Sequence, residues 1–475
     1  MTRVFLPAVL ALSLAWPGLI AGPFAAAQAP AGTSKRTLTL PLGGFQELAT
    51  STLVRPRPSA HDLAGLLPAT RGRFRFPAPY GSEGYRITIP ADCGGRDCVN
   101  SVGYSYWRNI NNHAGADRLL VVLTLASGRG GVGPSLFEID KQTGAVRHRG
   151  PLFGTHDERR GATGEGWYFS ATAPTTLYAH DRSRLTRIDV LARTSRVVFD
   201  LDRAVDLFGA DRTIWQVHSS NDDAVHSFTV MGPQALGCGV YFERTAQFRF
   251  FPTVGIEYDE CQVDRSGAWL LIKEQVDGRN GEDNRIIALE TNAERWLLDE
   301  DGAGGHSDMG FGAMVAADNW FPSGMAWRLW EFGTDPLGPR TLVYSDPSWH
   351  SGSINHVSWQ NAVDGPAAAQ YACGSGATHG PGPRAGEIVC FRLDGSLRAV
   401  VVAPVMTDLG ARGGENEYWR LPKGNLDVTG EYFIWTTNVG GDRLDAFIVR
   451  IPVDLLQTDQ TPRAAPRRAG PRKGR

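Results

Sequence analysis

The chain has 475 residues, six cysteines and a formal net charge of -2 at pH 7. At the C-terminus Arg463, Arg467, Arg468, Arg472, Lys473 and Arg475 accompany a single acid, Asp459. Without that tail the net charge is -2 - (6 - 1) = -7, a mildly acidic body that argues against nucleic acid as a partner.

Residues 1–27 read as a signal peptide: Arg3, then the short apolar run "VFLPAVLALSLAW", then small residues ending in Ala25-Ala26-Ala27. The run is too short to span a bilayer and no stop-transfer segment follows, so the mature chain is expected to be secreted or periplasmic, with no membrane span. Residues 28–99 form an N-terminal extension with two strand candidates, "RTLTLPL" (Arg36 to Leu42) and "YRITIP" (Tyr85 to Pro90).

From about residue 100 to 455 one hairpin recurs. "PSLFEIDKQTGAVRHRG" (Pro134 to Gly150) reads as strand, Asp-x-x-Thr-Gly turn, strand. The same form returns at Arg184 to Leu201, Gly239 to Phe251, Arg285 to Leu298, Trp327 to Tyr344 and Glu387 to Val402. Strand centres near Ile139, Ile188, Tyr241, Ile287, Trp330, Cys390 and Phe447 lie roughly 43 to 60 residues apart, the period of a β-propeller blade. Further strands precede most hairpins, as in "RLLVVLTLA" and "GAWLLIKE", and no amphipathic helix of three turns stands out. The expected fold is all-β, a seven-bladed β-propeller. Its last blade, "GNLDVTGEYFIWTTNVGGDRLDAFIVRIP" (Gly424 to Pro452), lacks an outer strand, which an N-terminal strand should supply to avoid an open edge. Residues 456–475 are expected to be a disordered basic tail.

The even cysteine count suits an oxidising compartment. Proximity suggests Cys93–Cys98, Cys238–Cys261 and Cys373–Cys390, although six cysteines allow fifteen pairings.

Propellers place ligands over the central channel, so the polar residues just before or within the inner strands are the site candidates. In chain order they are Asn112 and His113, His156 and Asp157, then His218, Asn221, Asp222 and His226. Glu257 and Glu260 follow, then His306 and Asp308, His356 and Gln360, and finally Lys423 and Asn425. His306 and Asp308 share one strand face, as do His356 and Gln360. Such pairs suit manganese, calcium or zinc only loosely. The chain contains neither a P-loop nor a dinucleotide fingerprint after a strand, and "GHSDMG" lacks the second glycine of a nucleophile elbow.

The segment from about residue 71 to 452 resembles a family of secreted bacterial propellers, with the aspartate–Gly–strand pattern in its last blade. It is more distantly similar to oligogalacturonate lyases and propeller-type ulvan lyases. That resemblance implies elimination across a uronate ring, with a histidine or tyrosine base, an arginine against the carboxylate and, in some members, a metal held by histidines and glutamine. On this chain it places His306, His356 and Gln360 at the metal, His218 or His156 as base, and Arg108 or Arg159 as the neutralising group. His113, Asn221, His226, Asp308 and Gln360 would line the substrate site. Two functions stay open: a uronate-eliminating lyase acting on a polysaccharide or oligosaccharide, and a non-catalytic propeller that binds a glycan or protein. A monomer is expected.

Overall fold

The computed structural model describes residues 42–457, except 101, 103, 105, 155–163, 205–208, 210, 280–281, 299–303, 319–325, 334–340, 354–355, 360–364, 412–417 and 419–420. The candidate signal segment, the candidate strand before Leu42 and nearly all of the basic tail therefore lie outside the described residues.

Seven small antiparallel sheets follow one another along the chain as the blades of a seven-bladed β-propeller. Blade one runs from Ile110–Asn111 through Arg118–Leu125 and Gly133–Asp140 to Val146–Pro151. Blades two to five begin with Trp167–Phe169, Thr213–Ser219, Tyr258–Val263 and Gly304–Met309; blades six and seven begin with Ser358–Trp359 and Asn425–Leu426. The first strands of blades two, three and four meet one another, as do those of blades five, six and seven, and so face the axis. In blades one to six, the repeated hairpin of the sequence forms the third and fourth strands.

The hairpin repeats because its turn carries its own hydrogen bonds. The Asp140 carboxylate accepts the amides of Gln142 and Thr143 at 3.0 and 2.8 Å, and Gly144 takes the left-handed conformation that closes the turn. Asp189 accepts the amides of Leu191 and Ala192 at 3.0 and 2.8 Å in the same way. Alternating side chains on each sheet then pack against the next blade. One core, for example, joins Val122 and Leu136 of blade one to Phe169 and Leu177 of blade two. Another joins Cys238 and Val240 of blade three to Leu270 and Ile272 of blade four.

The N-terminal region closes the circle. Glu83–Arg86 pairs antiparallel with Asp445–Arg450, with Tyr85 opposite Ile448, and Gly72–Arg75 adds a fifth strand outside it. Of the two candidate strands, the segment around Tyr85 thus completes blade seven. An unanticipated strand, Phe45–Leu48, extends blade six by pairing with Arg398–Pro404. Arg55 fixes this arm in place, bonding Glu387 at 2.6 Å and Glu47 at 2.6 Å.

All six cysteines pair as proximity suggests: Cys93–Cys98, Cys238–Cys261 and Cys373–Cys390. Cys373 and Cys390 face each other across adjacent strands of blade six, whereas Cys238–Cys261 joins blade three to blade four. A cross-link closing a loop of this length contributes about 3 kcal/mol. Replacing Cys238 and Cys261 together by alanine is expected to lower unfolding stability by about that amount in a denaturant titration. Unchanged stability would show that the inter-blade core alone holds the two blades. Among the described residues no helix is long and apolar enough to cross a membrane.

Candidate functional site

Equivalent positions of the inner strands carry the site. Asp264, Gly310 and Asp427 each donate their amide to the outgoing second strand of blades four, five and seven. Four residues before them stand Glu260, His306 and Lys423. In blade six, His356 precedes the first paired residue, Ser358, by two, as Lys423 precedes Asn425 in blade seven.

His306 and His356 come together, with ring centroids 4.2 Å apart. The Tyr418 hydroxyl, from the loop between blades six and seven, lies 2.8 Å from Nε2 of His356 and 3.1 Å from Nε2 of His306. A hydroxyl has one proton, so it donates to one imidazole and accepts from the other. Tyr104 covers the pair, its ring 5.5 Å from His306 and 4.9 Å from His356. Lys423 Nζ sits 3.5 Å from the centre of the Tyr418 ring, a cation–π contact.

Burial sets the protonation states. It drives His356 well below the ordinary histidine value, assisted by repulsion from His306 and Lys423, so this imidazole is neutral at pH 7. It also holds the Tyr418 phenol far above its usual value. Lys423 is pulled down to about 7 by burial, against the attraction of Glu165. Glu165 is itself pushed up to about 7 by burial.

A second charged group lines the same channel. Lys273 Nζ lies 3.0 Å from Glu260, both fully buried, and Gln262 donates to the same carboxylate at 2.9 Å. Burial opposes the ammonium charge, yet the carboxylates of Glu260, Glu282 and Asp259 outweigh it and keep Lys273 protonated. Burial pushes the Glu260 carboxyl upward, against the attraction of Lys273.

His218 lies elsewhere in the channel, against Trp107 at 4.8 Å and Tyr168 at 5.5 Å. Tyr106 stacks against both Tyr104 and His218 and so connects it to the histidine pair. Burial depresses His218 to about 3. Arg108 is buried and donates to the Asn221 side chain at 2.9 Å. Asp308 is buried in an ion pair with Arg265 at 2.5 Å and accepts the Trp359 amide. His226 leaves the channel altogether: it occupies the second strand of blade three, 2.8 Å from the Ser219 hydroxyl and 3.1 Å from Glu243. His113 follows the inner strand of blade one, so it stands at the far end from the histidine pair. His156, Arg159 and Gln360 lie outside the described residues.

Tyr104, Glu165, Lys273 and Tyr418 do not follow from the repeat. Tyr104 and Tyr418 sit on connecting loops, where no strand period exists to mark them. The aromatic run "GYSYW" and the short distance from Tyr418 to Lys423 were the available signals.

Fold and channel define the class: a seven-bladed propeller with a polar, proton-bearing channel. Among solved structures it is similar to an oligogalacturonate lyase in complex with manganese, with a TM-score of 0.56 and 14% identity over 82% of this chain and 98% of that one. It is also similar to the oligogalacturonate lyase of Vibrio parahaemolyticus, with a TM-score of 0.52 and 11% identity over 82% of this chain and 99% of that one. At these identities the likeness is one of fold. No known family profile matches the chain, and no curated protein does.

Among the described residues, no group of three His, Cys, Asp or Glu side chains could hold a metal ion. His306 and His356 supply two imidazoles, and the Tyr418 hydroxyl occupies the point on which they converge. The described residues alone thus do not compose an ion site.

Proposed function

We propose that this propeller acts on an acidic polysaccharide or oligosaccharide as a uronate-eliminating lyase in an oxidising, extracytoplasmic compartment. The observation that carries this reading is the single Tyr418 hydroxyl shared by two imidazoles, with Lys423 against its ring.

In β-elimination the hydrogen α to the uronate carboxylate leaves as a proton. The C4–O bond to the neighbouring sugar breaks, and a C4=C5 double bond forms. Tyr418 takes the α proton while its own passes to the imidazole that accepts its hydrogen bond. The second imidazole donates to the phenolic oxygen and limits the charge that develops there. The proton then returns through Tyr418 to the departing sugar oxygen. Lys423 meets the carboxylate: burial weakens its hold on a proton when free, the arriving anion restores it, and this attraction grows with the enediolate charge of the transition state. His218, the base suggested by resemblance, is packed among aromatic rings and plays no part in this scheme.

Incubation with a panel of uronate polysaccharides, following absorbance of the unsaturated product, tests the reading. No product from any of them would sink it. The pH profile gives a sharper expectation. kcat/KM should fall above about pH 7, where free Lys423 loses its proton. Lys423→Arg, permanently charged, should carry that basic limb upward by more than about one unit. A limb that stays in place under this substitution would remove Lys423 from the role.

A second reading is favoured by the buried acids Glu165 and Glu260, whose carboxyls burial pushes upward, and by the faces of Tyr104, Tyr106 and Tyr418. Carboxyls and aromatic rings suit a hydroxylated sugar held without chemistry. Binding of a glycan with no product, and an affinity lowered by Tyr418→Phe, would favour it.

A further inference from the structure

Away from the channel, a cavity of about 340 Å³ lies between the outer strands of blade one and the hairpin turn of blade two. It is lined by Leu136, His148, Arg149, Val190, Leu191 and Arg193. Leu136 and Val190 are buried beneath it, so the two guanidiniums and the imidazole supply its charge. Arg193 is tethered here, donating to the Pro151 carbonyl at 2.6 Å and to the Arg149 carbonyl at 2.9 Å. Its backbone is left-handed, with φ 59°, at the place in the turn that Gly144 fills in blade one. An L side chain is strained there.

The acids around the cavity do not match its cations. Glu138 is shared between Arg118 at 3.5 Å and Arg149 at 3.7 Å. Asp92 is shared between Arg71 and Nδ1 of His148, the latter at 3.3 Å. Asp189 opens the turn that carries Arg193 and accepts the Leu191 and Ala192 amides and the Thr175 hydroxyl. Arg147 acts on Asp140, so that pair cancels. Counting every carboxylate in full, Asp92, Glu138 and Asp189 face Arg71, Arg118, Arg149 and Arg193, an excess of one guanidinium even with His148 neutral. Among the described residues no carboxylate lies in ion-pair contact with Arg193. The forces on its charge are burial and the repulsion of Arg149, and both weaken its hold on its proton. Nε2 of His148 is buried with no hydrogen-bond partner among the described residues.

We propose that this cavity binds one oxyanion, free as phosphate or sulfate or carried as the carboxylate of an acidic sugar. Two like charges tethered to one small space repel each other, and an anion between them turns that repulsion into attraction. Arg193 spends two of its five N–H donors on carbonyls and keeps three for the ligand. Guanidinium bonds to such oxygens are short and charge-assisted. His148, held to Asp92 through Nδ1, adds a third donor when its ring is also protonated at Nε2. The site is distinct from the channel, because its residues come from third and fourth strands and the turn between them, not from first strands. It stands whether the channel catalyses, only binds or does neither.

Crystals of the whole protein soaked in selenate should show an anomalous selenium peak between Arg149 and Arg193. In solution, inorganic phosphate should bind saturably at constant low ionic strength, since salt screens charges as exposed as these. Arg149→Gln removes one guanidinium and should weaken phosphate affinity about tenfold. Arg193→Gln should abolish binding. Because Arg193 also ties blade two to blade one, that variant could fail to fold, and then Arg149→Gln alone decides. A uronate monosaccharide distinguishes the sources: displacement of phosphate assigns the anion to a sugar, and failure to displace it assigns a free ion. No selenate peak in the cavity, or no saturable phosphate binding, overturns the proposal. So does phosphate affinity that Arg149→Gln leaves unchanged.

Discussion

Tyr418→Phe is expected to remove product formation almost completely, by about 10²- to 10⁴-fold in kcat, while the protein stays folded. The phenyl ring preserves the stack beneath Lys423 and beside Tyr104, so only the hydroxyl is lost. That hydroxyl links Nε2 of His306 to Nε2 of His356. A purely structural hydroxyl would change melting and leave the pH profile of any residual rate as it was. A catalytic one should lower kcat with little effect on KM, because its interaction grows in the transition state. His356→Ala should give a comparable loss of rate, joined by a fall in stability from the void it leaves. Wild-type kcat in the phenylalanine variant would end the mechanism proposed above.

The second large effect concerns closure. A chain lacking residues 42–88 loses the strands Phe45–Leu48, Gly72–Arg75 and Glu83–Arg86 together. It also loses Leu63, Phe76, Tyr80, Tyr85 and Ile87 from the core. At about 1.5 to 3 kcal/mol for each large apolar side chain removed from water, the loss is on the order of 10 kcal/mol. That is comparable with the whole stability of an ordinary domain. The truncation also bares the edges of Arg398–Pro404 and Asp445–Arg450, both buried along most of their length. Size-exclusion chromatography should find aggregate instead of a folded species. A truncated protein that elutes as in the full chain and melts at the same temperature would mean that the seventh blade closes by other means.

Most of the architecture was legible because each blade advertises itself locally. Asp140 and Asp189 mark their turns by bonding amides two and three residues on, and β-branched and aromatic runs flank them. The disulfides were legible for a similar reason, since each joins cysteines close in sequence. The arm strand Phe45–Leu48 was not: four residues, "FQEL", pair with a partner some 350 positions away and carry no alternation of their own. At the site, reading like positions in the repeat located His306, His356 and Lys423. The same reading grouped His218 with them, although it stacks among Trp107 and Tyr168 instead. A strand period tells which face a side chain takes, but not how deep along the axis it stands. Tyr418 escaped because it lies between blades six and seven, where no strand period marks it.

The arm strands also impose an order of events. Phe45–Leu48 and Glu83–Arg86 are made before any blade, yet their partners, Arg398–Pro404 and Asp445–Arg450, are nearly the last strands synthesised. Contacts between residues so far apart in sequence form slowly, because a long loop must close before they bring any gain. Blades one to five can assemble from neighbouring segments, but the circle cannot lock until the final hairpin arrives. A chain emerging N-terminus first must therefore keep one edge of Phe45–Leu48 and one edge of the local hairpin Gly72–Arg75/Glu83–Arg86 open until synthesis is nearly complete.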